Sequence, residues 1–252
     1  MTEILTEIRG GILIVTLNRP EAKNAANRAL SEQMAAAMDM LDSDPVLRVG
    51  IITGAGGTFC SGMDLKGFLS GELPFVAGRG FAGLTEAPPQ KPLIAAVNGY
   101  ALAGGFEIAL ACDLIVANLD AKFGIPEVKR GLAAAAGGLV RLPRQINYRL
   151  AMELALTGAF ISAGRAYEVG LINRVVDGDA LDGALELAAT ITANGPLAVA
   201  ASKNVIKGQE DWSSDELYKR QTEMLGGLFA TNDAREGAAA FAQKRAPNWT
   251  GT

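Results

Sequence analysis

The sequence predicts an α/β fold that ends in a helical region. Short apolar runs rich in β-branched residues alternate with segments of helical periodicity up to about Val176, and beyond that residue the pattern favours helix alone. A chain of 252 residues with 49% apolar and 20% charged residues can bury a large core. We therefore expect a core over residues 1–190 and a helical region over residues 191–252, with no linker between them.

Five runs are predicted to be strands because they are short, apolar and bounded by turn residues or helical segments. They cover residues 12–17, 49–53, 93–97, 114–117 and 171–176. Between the first two runs, residues 27–41 carry large apolar side chains at steps of three and four, which predicts an amphipathic helix. Its apolar stripe consists of Leu30, Met34, Met38 and Leu41. We expect this stripe to pack into the core.

The last part of the chain is predicted to be helical because its apolar residues recur at helical spacing between short breakers. The predicted helices cover residues 181–193, 196–207, 213–229 and 233–243. Lys244 and Arg245 fall near the end of the final helix, where cations are favoured by the helix dipole. No strand signal interrupts this region.

The composition excludes several kinds of site. The chain has no histidine, so it has neither a Ser-His triad nor a histidine metal site, and acid/base chemistry falls to carboxylate, lysine, tyrosine or cysteine. Cys60 and Cys112 lack the spacing of a metal site or a disulfide framework. We expect both to be small buried thiols, and we expect no metal.

Charge and hydropathy indicate neither a nucleic-acid partner nor a membrane partner. The net charge is −4 and the pI is near 5.1, which offers no electrostatic footprint for nucleic acid. The segment from Met1 lacks the basic start and apolar core of a signal peptide, and no segment has the apolar length of a membrane span. We expect a cytoplasmic protein.

Glycine pairs mark two places where backbone N–H groups can approach a ligand. Residues 54–57 lack the third glycine of a dinucleotide fingerprint, and no Gly-Lys-Ser/Thr follows, so a nucleotide site is disfavoured. At Gly62–Met63 and Gly104–Gly105 a ligand oxygen could reach the main chain, and Gly104 is placed to open a helix. Two such donors would form an oxyanion hole, although either pair alone is equally compatible with a tight turn.

Two glutamates twenty residues apart, Glu107 and Glu127, each follow a glycine-marked turn. Glu107 interrupts an apolar stretch, where an unpaired carboxylate is costly unless it is neutralised or used. Two carboxyl groups close enough to share a water would raise one apparent pKa, so that one group donates a proton while the other accepts one. For either glutamate alone, ordinary surface charge is an alternative.

Three motifs hold these groups in a fixed order. They are Phe-Cys-Ser-Gly-Met-Asp-Leu at 59–65, Asn-Gly-Tyr-Ala-Leu-Ala-Gly-Gly-Phe-Glu at 98–107 and Phe-Gly-Ile-Pro-Glu at 123–127. Together they resemble the crotonase (enoyl-CoA hydratase/isomerase) superfamily, and the resemblance extends over the whole chain. Residues 126–138 and 245–249 are most similar to its carnitinyl-CoA dehydratase-like branch. Residues 131–138 are mostly glycine and alanine where many relatives have a proline, which implies a wider acyl pocket.

The resemblance implies a crotonase-like spiral of ββα units over residues 1–190, which forms the catalytic core. It also implies that residues 191–252 are a helical trimerisation region of a homo-trimer or hexamer. The substrate would be an acyl-CoA thioester of the kind found in fatty acid metabolism. Apart from the CoA moiety of that substrate, no cofactor is implied.

The resemblance also assigns the site residues. Backbone N–H groups of Met63 and Gly104 would form the oxyanion hole, Glu107 and Glu127 would be the catalytic acids, and Lys66 would contact CoA. Retention of both glutamates implies an enoyl-CoA hydratase or dehydratase, a hydro-lyase. Two alternatives stay open: a Δ3,Δ2-enoyl-CoA isomerase, in which Glu127 alone moves the proton, and a non-catalytic acyl-CoA-binding protein.

Overall fold

The computed structural model describes residues 2–252; Met1, where the predicted core begins, lies outside the described residues. The strands, in chain order, are β1 (Ile4–Arg9), β2 (Ile12–Leu17), β3 (Val49–Gly54), β4 (Phe75–Val76), β5 (Gly80–Phe81), β6 (Leu93–Val97), β7 (Tyr100–Leu102), β8 (Leu114–Asn118), β9 (Lys122–Gly124), β10 (Ile161–Ser162) and β11 (Arg174–Val176). The helices are α1 (Arg28–Ser43), α2 (Leu65–Leu69), α3 (Gly104–Ala111), α4 (Gly138–Gln145), α5 (Tyr148–Thr157), α6 (Ala163–Glu168), α7 (Ala180–Thr192), α8 (Pro196–Gly208), α9 (Leu217–Gly226) and α10 (Asn232–Ala242).

The main sheet has six strands in the order β1-β2-β3-β6-β8-β11. Only β1 runs antiparallel, paired with β2, and the remaining neighbours are parallel. Parallel neighbours need crossover connections, and the intervening short strands and helices supply them. The sheet therefore requires the α/β alternation that the sequence predicts.

Both faces of the central strands β2, β3 and β6 are covered, which explains why these strands are almost continuously apolar. Successive side chains of a strand point to opposite faces, so neighbouring residues of β6 enter different cores. Leu93 and Ala95 join the larger core, which also contains the α1 stripe, whereas Ile94 and Ala96 join a smaller core under α7. The predicted helix stripe is thus confirmed as core.

A second layer of short strands runs beside the main sheet. It has the order β10-β9-β7, with β7 parallel to β9 and β10 antiparallel to β9. Cys60 extends this layer by a parallel bridge to Ala101 in β7. Two turns of the chain, β6-β7-α3 and β8-β9-α4, therefore pass through a main-sheet strand, then a short strand of the second layer, and then a helix, and β3 is followed in the same way by Cys60 and α2. This repetition is the spiral of ββα units that the sequence predicts.

The C-terminal helices are tied to the core through Lys203 of α8. Its Nζ donates to the carbonyl oxygens of Pro89 (2.8 Å) and Lys91 (2.9 Å) and lies 2.6 Å from Oδ2 of Asp113. Three acceptors satisfy the buried ammonium group, which would otherwise be costly to desolvate. At the end of the chain, Trp249 donates from Nε1 to the carbonyl of Ala193 at 2.8 Å. The last residues thus fold back onto the helical region.

The bounds of several elements differ from the sequence-based expectation. β1 was not predicted, because it is an edge strand in which only Ile4 is buried. The strand predicted at residues 171–176 begins only at Arg174, and the helix predicted at 213–229 begins at Leu217. Helix α7 ends at Thr192 and packs on the main sheet, so the helices that leave the sheet begin with α8.

No single helix in residues 2–252 is long and apolar enough to cross a membrane, and α7 and α8, which meet the length and composition requirement only when joined, are bent by 108°.

Candidate active site

Three chain segments lie in register where the second layer of strands meets the cavity. Cys60 pairs with Ala101, and Ala101 pairs with Phe123, so the three residues form one row across the layer. Three residues beyond Cys60 lies Met63, and three residues beyond Ala101 lies Gly104. The two expected oxyanion donors therefore occupy equivalent positions on neighbouring segments. This equivalence explains how motifs forty residues apart form one site.

The N–H groups of Met63 and Gly104 are both available. Within residues 2–252, neither donates a hydrogen bond to a protein acceptor, and the first N–H groups of a helix have no intrahelical partner. The two segments approach closely, since a Cβ added at Gly62 would lie 3.3 Å from the Gly104 nitrogen. The geometry agrees with the oxyanion hole that the sequence predicts; the roles of these two N–H groups stay a prediction.

Close packing fixes the start of α3. A Cβ on Gly105 would lie 2.2 Å from the Cys60 carbonyl oxygen, and one on Gly104 would lie 2.4 Å from Cζ of Phe81. Ala103, which precedes the helix, has φ 51° and ψ −130°. This backbone conformation is strained for a residue with a Cβ. Positions 104 and 105 therefore require glycine, because a Cβ at either would collide with a neighbouring residue. The residue before the helix, Ala103, adopts a strained backbone conformation.

Glu107 lies in the first turn of α3 and is only 3% exposed. Its Oε1 accepts hydrogen bonds from the backbone N–H groups of Ala136 and Gly138, each at 2.8 Å. Burial raises the pKa of Glu107, whereas the Gly138 and Ala136 donors and the charge of Arg141 oppose that rise. Gly138 begins α4, so the carboxyl also faces a positive helix end. The net pKa stays raised, while the two backbone donors hold the carboxyl group in one orientation.

Glu127 has a different environment. It follows Pro126 in a single turn of 3₁₀ helix, Pro126–Arg130, and is half-buried. Its Oε2 is buried without a hydrogen-bond donor from the described part of the chain. Burial raises its pKa to about 7, and the negative charge of Glu107 contributes to the rise. Near neutral pH, Glu127 is therefore partly protonated and able to donate a proton.

Both glutamates line one cavity of about 670 Å³, together with Met63 and Gly104. A volume of this size suits a small-molecule ligand. Large apolar side chains form much of its wall: Leu65, Phe68, Leu73, Phe75, Phe81 and Leu132. Small residues form the wall near Glu107: Ala133, Ala135 and Ala136. The cavity therefore combines an apolar space with two carboxyl groups and two backbone donors.

Three cations also line the cavity, namely Lys23, Lys129 and Arg130. Lys129 places its ammonium nitrogen 5.6 Å from the ring centre of Phe160, another lining residue. Cationic side chains around a partly apolar cavity are suited to an anionic ligand that carries an apolar group.

Lys66 and several neighbouring or more distant side chains lie outside the cavity wall. Lys66 is exposed in the first turn of α2, beside the lining residue Leu65 but not itself in the cavity wall, and its contact with CoA stays a prediction. Asp64 caps α2 and pairs with Arg19 at 2.9 Å, so this arginine is held within the fold. Trp212 lies away from the cavity and packs against Gly208.

The cysteines are both free and buried, as the sequence predicts. Among residues 2–252, no group of three or more cysteine, aspartate or glutamate side chains is placed to hold a metal ion. The sequence reasoning missed the role of Ala136 and Gly138, because backbone donors carry no side-chain signature. Their available signal was the glycine pair Gly137–Gly138, which the sequence analysis attributed to the width of the acyl pocket alone.

The fold and the cavity define a class of site in which two carboxyl groups lie beside two backbone N–H groups without protein acceptors among the described residues. Residues 7–252 match the enoyl-CoA hydratase/isomerase family, and the chain belongs to that family. The superfamily predicted from the three motifs is thereby confirmed.

Individual relatives agree with this assignment. Enoyl-CoA hydratase EchA19 of Mycobacterium tuberculosis is 48% identical over 98% of this chain and 96% of its own length. Carnitinyl-CoA dehydratase of Proteus mirabilis is 43% identical over 96% of each, in agreement with the predicted branch. The crystal structure of an enoyl-CoA hydratase from M. tuberculosis H37Rv matches with a TM-score of 0.98 at 59% identity, covering 100% of both chains. The crotonase-like fold is therefore confirmed.

Proposed function

We propose that this chain is a hydro-lyase that adds water to a 2-enoyl-CoA thioester or removes it from the corresponding 3-hydroxyacyl-CoA. One observation carries the proposal: Glu107 and Glu127 line the same cavity in different environments, because Glu107 accepts two backbone hydrogen bonds whereas the buried Oε2 of Glu127 accepts none from the described residues. Two titratable groups separated in this way can serve as base and acid at the same pH. The family and the named relatives support the class of reaction.

In hydration, ionised Glu107 takes a proton from water as the water oxygen bonds to Cβ. Protonated Glu127 gives its proton to Cα, so the atoms of one water molecule are added across the double bond. Negative charge gathers on the thioester oxygen as Cβ is attacked, and the N–H groups of Met63 and Gly104 stabilise it. In other enzymes each such donor is worth about 3 kcal/mol. Dehydration follows the same path in reverse.

The position of Glu107 favours this reaction over the isomerase alternative. An isomerase needs one group to move a proton between carbons, and Glu127 alone could do so. Yet Glu107 is held at the cavity by two backbone donors, an arrangement that fixes the orientation of a carboxylate. The same observation opposes the non-catalytic alternative, which needs no oriented carboxylate.

The substrate proposal is an acyl-CoA thioester, and the reaction needs no cofactor beyond the CoA of the substrate. Lys66 is proposed to contact CoA from the rim of the cavity, where the lining cations also favour its phosphates. The apolar wall suits the acyl group. The relatives are named for both enoyl-CoA and carnitinyl-CoA, which share the acyl-CoA thioester.

We also propose that the chain forms a homo-trimer or hexamer through residues 191–252. Large apolar side chains on the C-terminal helices are strongly exposed, including Tyr218 at 81%, Phe229 at 84% and Phe241 at 88%. Exposed apolar side chains in such number mark association surfaces. A mass measured in solution by light scattering would test this, since a monomer at micromolar concentration would refute it. A cytoplasmic location stays a prediction.

The reaction class is tested by incubating the protein with crotonyl-CoA and a longer 2-enoyl-CoA and then measuring the molecular masses of the products by mass spectrometry. Hydration adds the mass of one water molecule, and in ¹⁸O-labelled water the label enters the product. Isomerisation leaves the mass unchanged, and binding alone leaves the substrate unaltered. A product with unchanged mass across the panel would overturn the proposal in favour of the isomerase.

A further inference from the structure

We propose that Arg141 is a positioning residue of this site, which holds the segment Ala136–Gly138 so that its two N–H groups fix Glu107. This inference rests on the proposed function, because it assigns Glu107 the role of base. Arg141 lies in α4, three residues after Gly138, the helix's first residue. Arg141 is not among the residues that line the cavity.

The guanidinium group connects the segment to the rest of the fold. Its Nη1 donates a long hydrogen bond of 3.5 Å to the carbonyl of Ala136, and its Nη2 donates to the carbonyl of Thr85 at 2.5 Å. The carbonyl that it contacts therefore belongs to one of the two residues whose N–H groups bind Glu107. A rigid planar fork can reach two acceptors at once, whereas a lysine ammonium offers no such fork.

Gly137 shows that the guanidinium lies directly against the middle of the segment. A Cβ at this residue would lie 2.2 Å from Nη1 of Arg141. Gly137 also has φ 101°, in a region that L side chains rarely adopt. The space beside Gly137 is thus filled by the arginine head group. The segment and Arg141 are packed as one unit behind Glu107.

The charge of Arg141 acts in the same direction as its contacts. It lowers the pKa of Glu107, after burial has raised it, and so supports the ionised form. Glu127 faces Glu107 from the Pro126–Arg130 turn, and it is the group whose pKa the Glu107 charge raises. Arg141 therefore favours the anion of Glu107, and the charge of that anion in turn raises the pKa of Glu127.

Other titratable groups also surround Arg141. Arg144 lies on the same helix, Lys207 approaches from α8, and Cys112 follows α3. Burial raises the pKa of the Cys112 thiol, so that it is neutral at physiological pH. Among these neighbours, Glu107 is the one that exerts the largest charge effect on Arg141. Glu107 is therefore the carboxylate with the strongest charge interaction with Arg141, whose guanidinium contacts the carbonyls of Ala136 and Thr85.

The experiment compares Arg141→Met and Arg141→Lys with the wild type in the pH dependence of hydration. We expect Arg141→Met to lose kcat by about 10²-fold, the loss that displacing a group by about 1 Å causes, with KM little changed. The acidic limb of its profile should move to higher pH, because Glu107 loses a stabilising charge. Arg141→Lys should return the acidic limb to the pH of the wild type, because the positive charge is restored. It should restore only part of kcat.

The matched control is Arg144→Met, on the same helix, where Arg144 pairs with Glu210 at 2.8 Å on the surface. It should behave as the wild type. A folded Arg141→Met variant with an unmoved acidic limb would overturn the proposal. If Arg141→Met does not fold, Gly137→Ala takes its place, because its Cβ would displace the guanidinium; an unmoved limb there would also overturn the proposal.

A second measurement separates this inference from the proposed function. Titration of the Glu107 carboxyl, followed by ¹³C NMR and assigned by its absence in Glu107→Gln, needs no turnover. We expect the Glu107 titration to shift to higher pH in Arg141→Met. A shift without any hydration activity would support Arg141 but contradict the proposed reaction. Hydration activity together with an unshifted Glu107 titration would support the proposed reaction but contradict the role of Arg141.

Discussion

The backbone N–H of Gly138 donates to Oε1 of Glu107 at 2.8 Å, and Gly138 is the first residue of α4. The carboxyl therefore faces the positive end of a helix, an interaction worth about 0.3–1 kcal/mol at exposed sites and up to about 2 kcal/mol when partly buried. Glu127 has no such donor on its buried Oε2. The two glutamates of one cavity thus differ in the backbone hydrogen bonds that their carboxyl oxygens accept.

Replacing Glu127 by glutamine should stabilise the protein at high pH. The folded-state pKa is about 7, whereas an unfolded glutamate has a pKa of about 4.3, so the folded state binds more protons between these values. Wild-type stability should therefore fall as pH rises through this window. The amide has no charge to bury. Above the window we expect Glu127→Gln to gain about 1–2 kcal/mol, after allowance for solvent screening of a half-buried group.

Urea denaturation of both proteins at about pH 4 and about pH 8 checks this difference, since these values lie on either side of the window. At the lower pH both side chains are neutral, so the two free energies of unfolding should agree closely. A gain that is the same at both pH values would contradict the ionisation argument and indicate a packing effect instead.

Replacing Gly104 by alanine should damage the oxyanion hole. The new Cβ would lie 2.4 Å from Cζ of Phe81, so the ring or the helix start must move. We expect kcat for hydration to fall by about 10²–10³-fold, the loss seen when one oxyanion donor is removed elsewhere. Steady-state kinetics with an enoyl-CoA substrate measure this directly.

Two further variants show whether the steric contact is responsible. Gly164→Ala introduces a Cβ that meets nothing within 4 Å, and it should leave kcat unchanged. Adding Phe81→Leu to Gly104→Ala removes the contacted ring edge and should restore part of kcat. Equal activity of Gly104→Ala and the wild type would remove Gly104 from the proposed oxyanion hole.

Replacing Ala103 by glycine should stabilise the fold. Its φ of 51° with ψ −130° is strained for alanine, at a cost of about 1–3 kcal/mol, and glycine adopts this conformation freely. The greater conformational freedom of glycine in the unfolded chain reduces this gain in stability by about 0.5–1 kcal/mol. We expect a net gain of about 1 kcal/mol, or about 2–4 °C in Tm.

Ala109→Gly is the matched control for this substitution, because Ala109 lies within the same short helix with ordinary helical geometry. It should lose about 0.5–1 kcal/mol or more, since glycine weakens helix interiors. Thermal unfolding of the two variants beside the wild type compares them. A lower Tm for Ala103→Gly would show that the conformation at this residue is not strained.

Patterns that depend on side-chain period could be predicted from the sequence. The strands at residues 12–17 and 93–97 have the predicted bounds, and α1 begins after Asn27, whose side chain accepts from the Leu30 N–H at 2.8 Å. β1 was missed because an edge strand need bury few of its side chains. Leu171 and Ile172 are apolar because they fill the core, although they are not in a strand.

The candidate site was predictable where side chains form it, because Glu107 and Glu127 stand out in the sequence and both line the cavity. It was less predictable where the backbone does so. The donors at Ala136 and Gly138 come from a loop whose amino acids give no sign of the carboxylate they hold. Arg141 lies one helical turn beyond that loop, and its function depends on a turn at Gly137 that only the folded chain reveals.

The central claim is that Glu107 and Glu127 together hydrate an enoyl-CoA. Its most direct test follows the loss of the enone-thioester absorbance of crotonyl-CoA and a longer 2-enoyl-CoA by wild type, Glu107→Gln and Glu127→Gln. We expect turnover by the wild type and a loss of about 10²–10⁴-fold in each variant, with substrate binding retained. Undiminished hydration by folded Glu107→Gln would contradict the two-glutamate account.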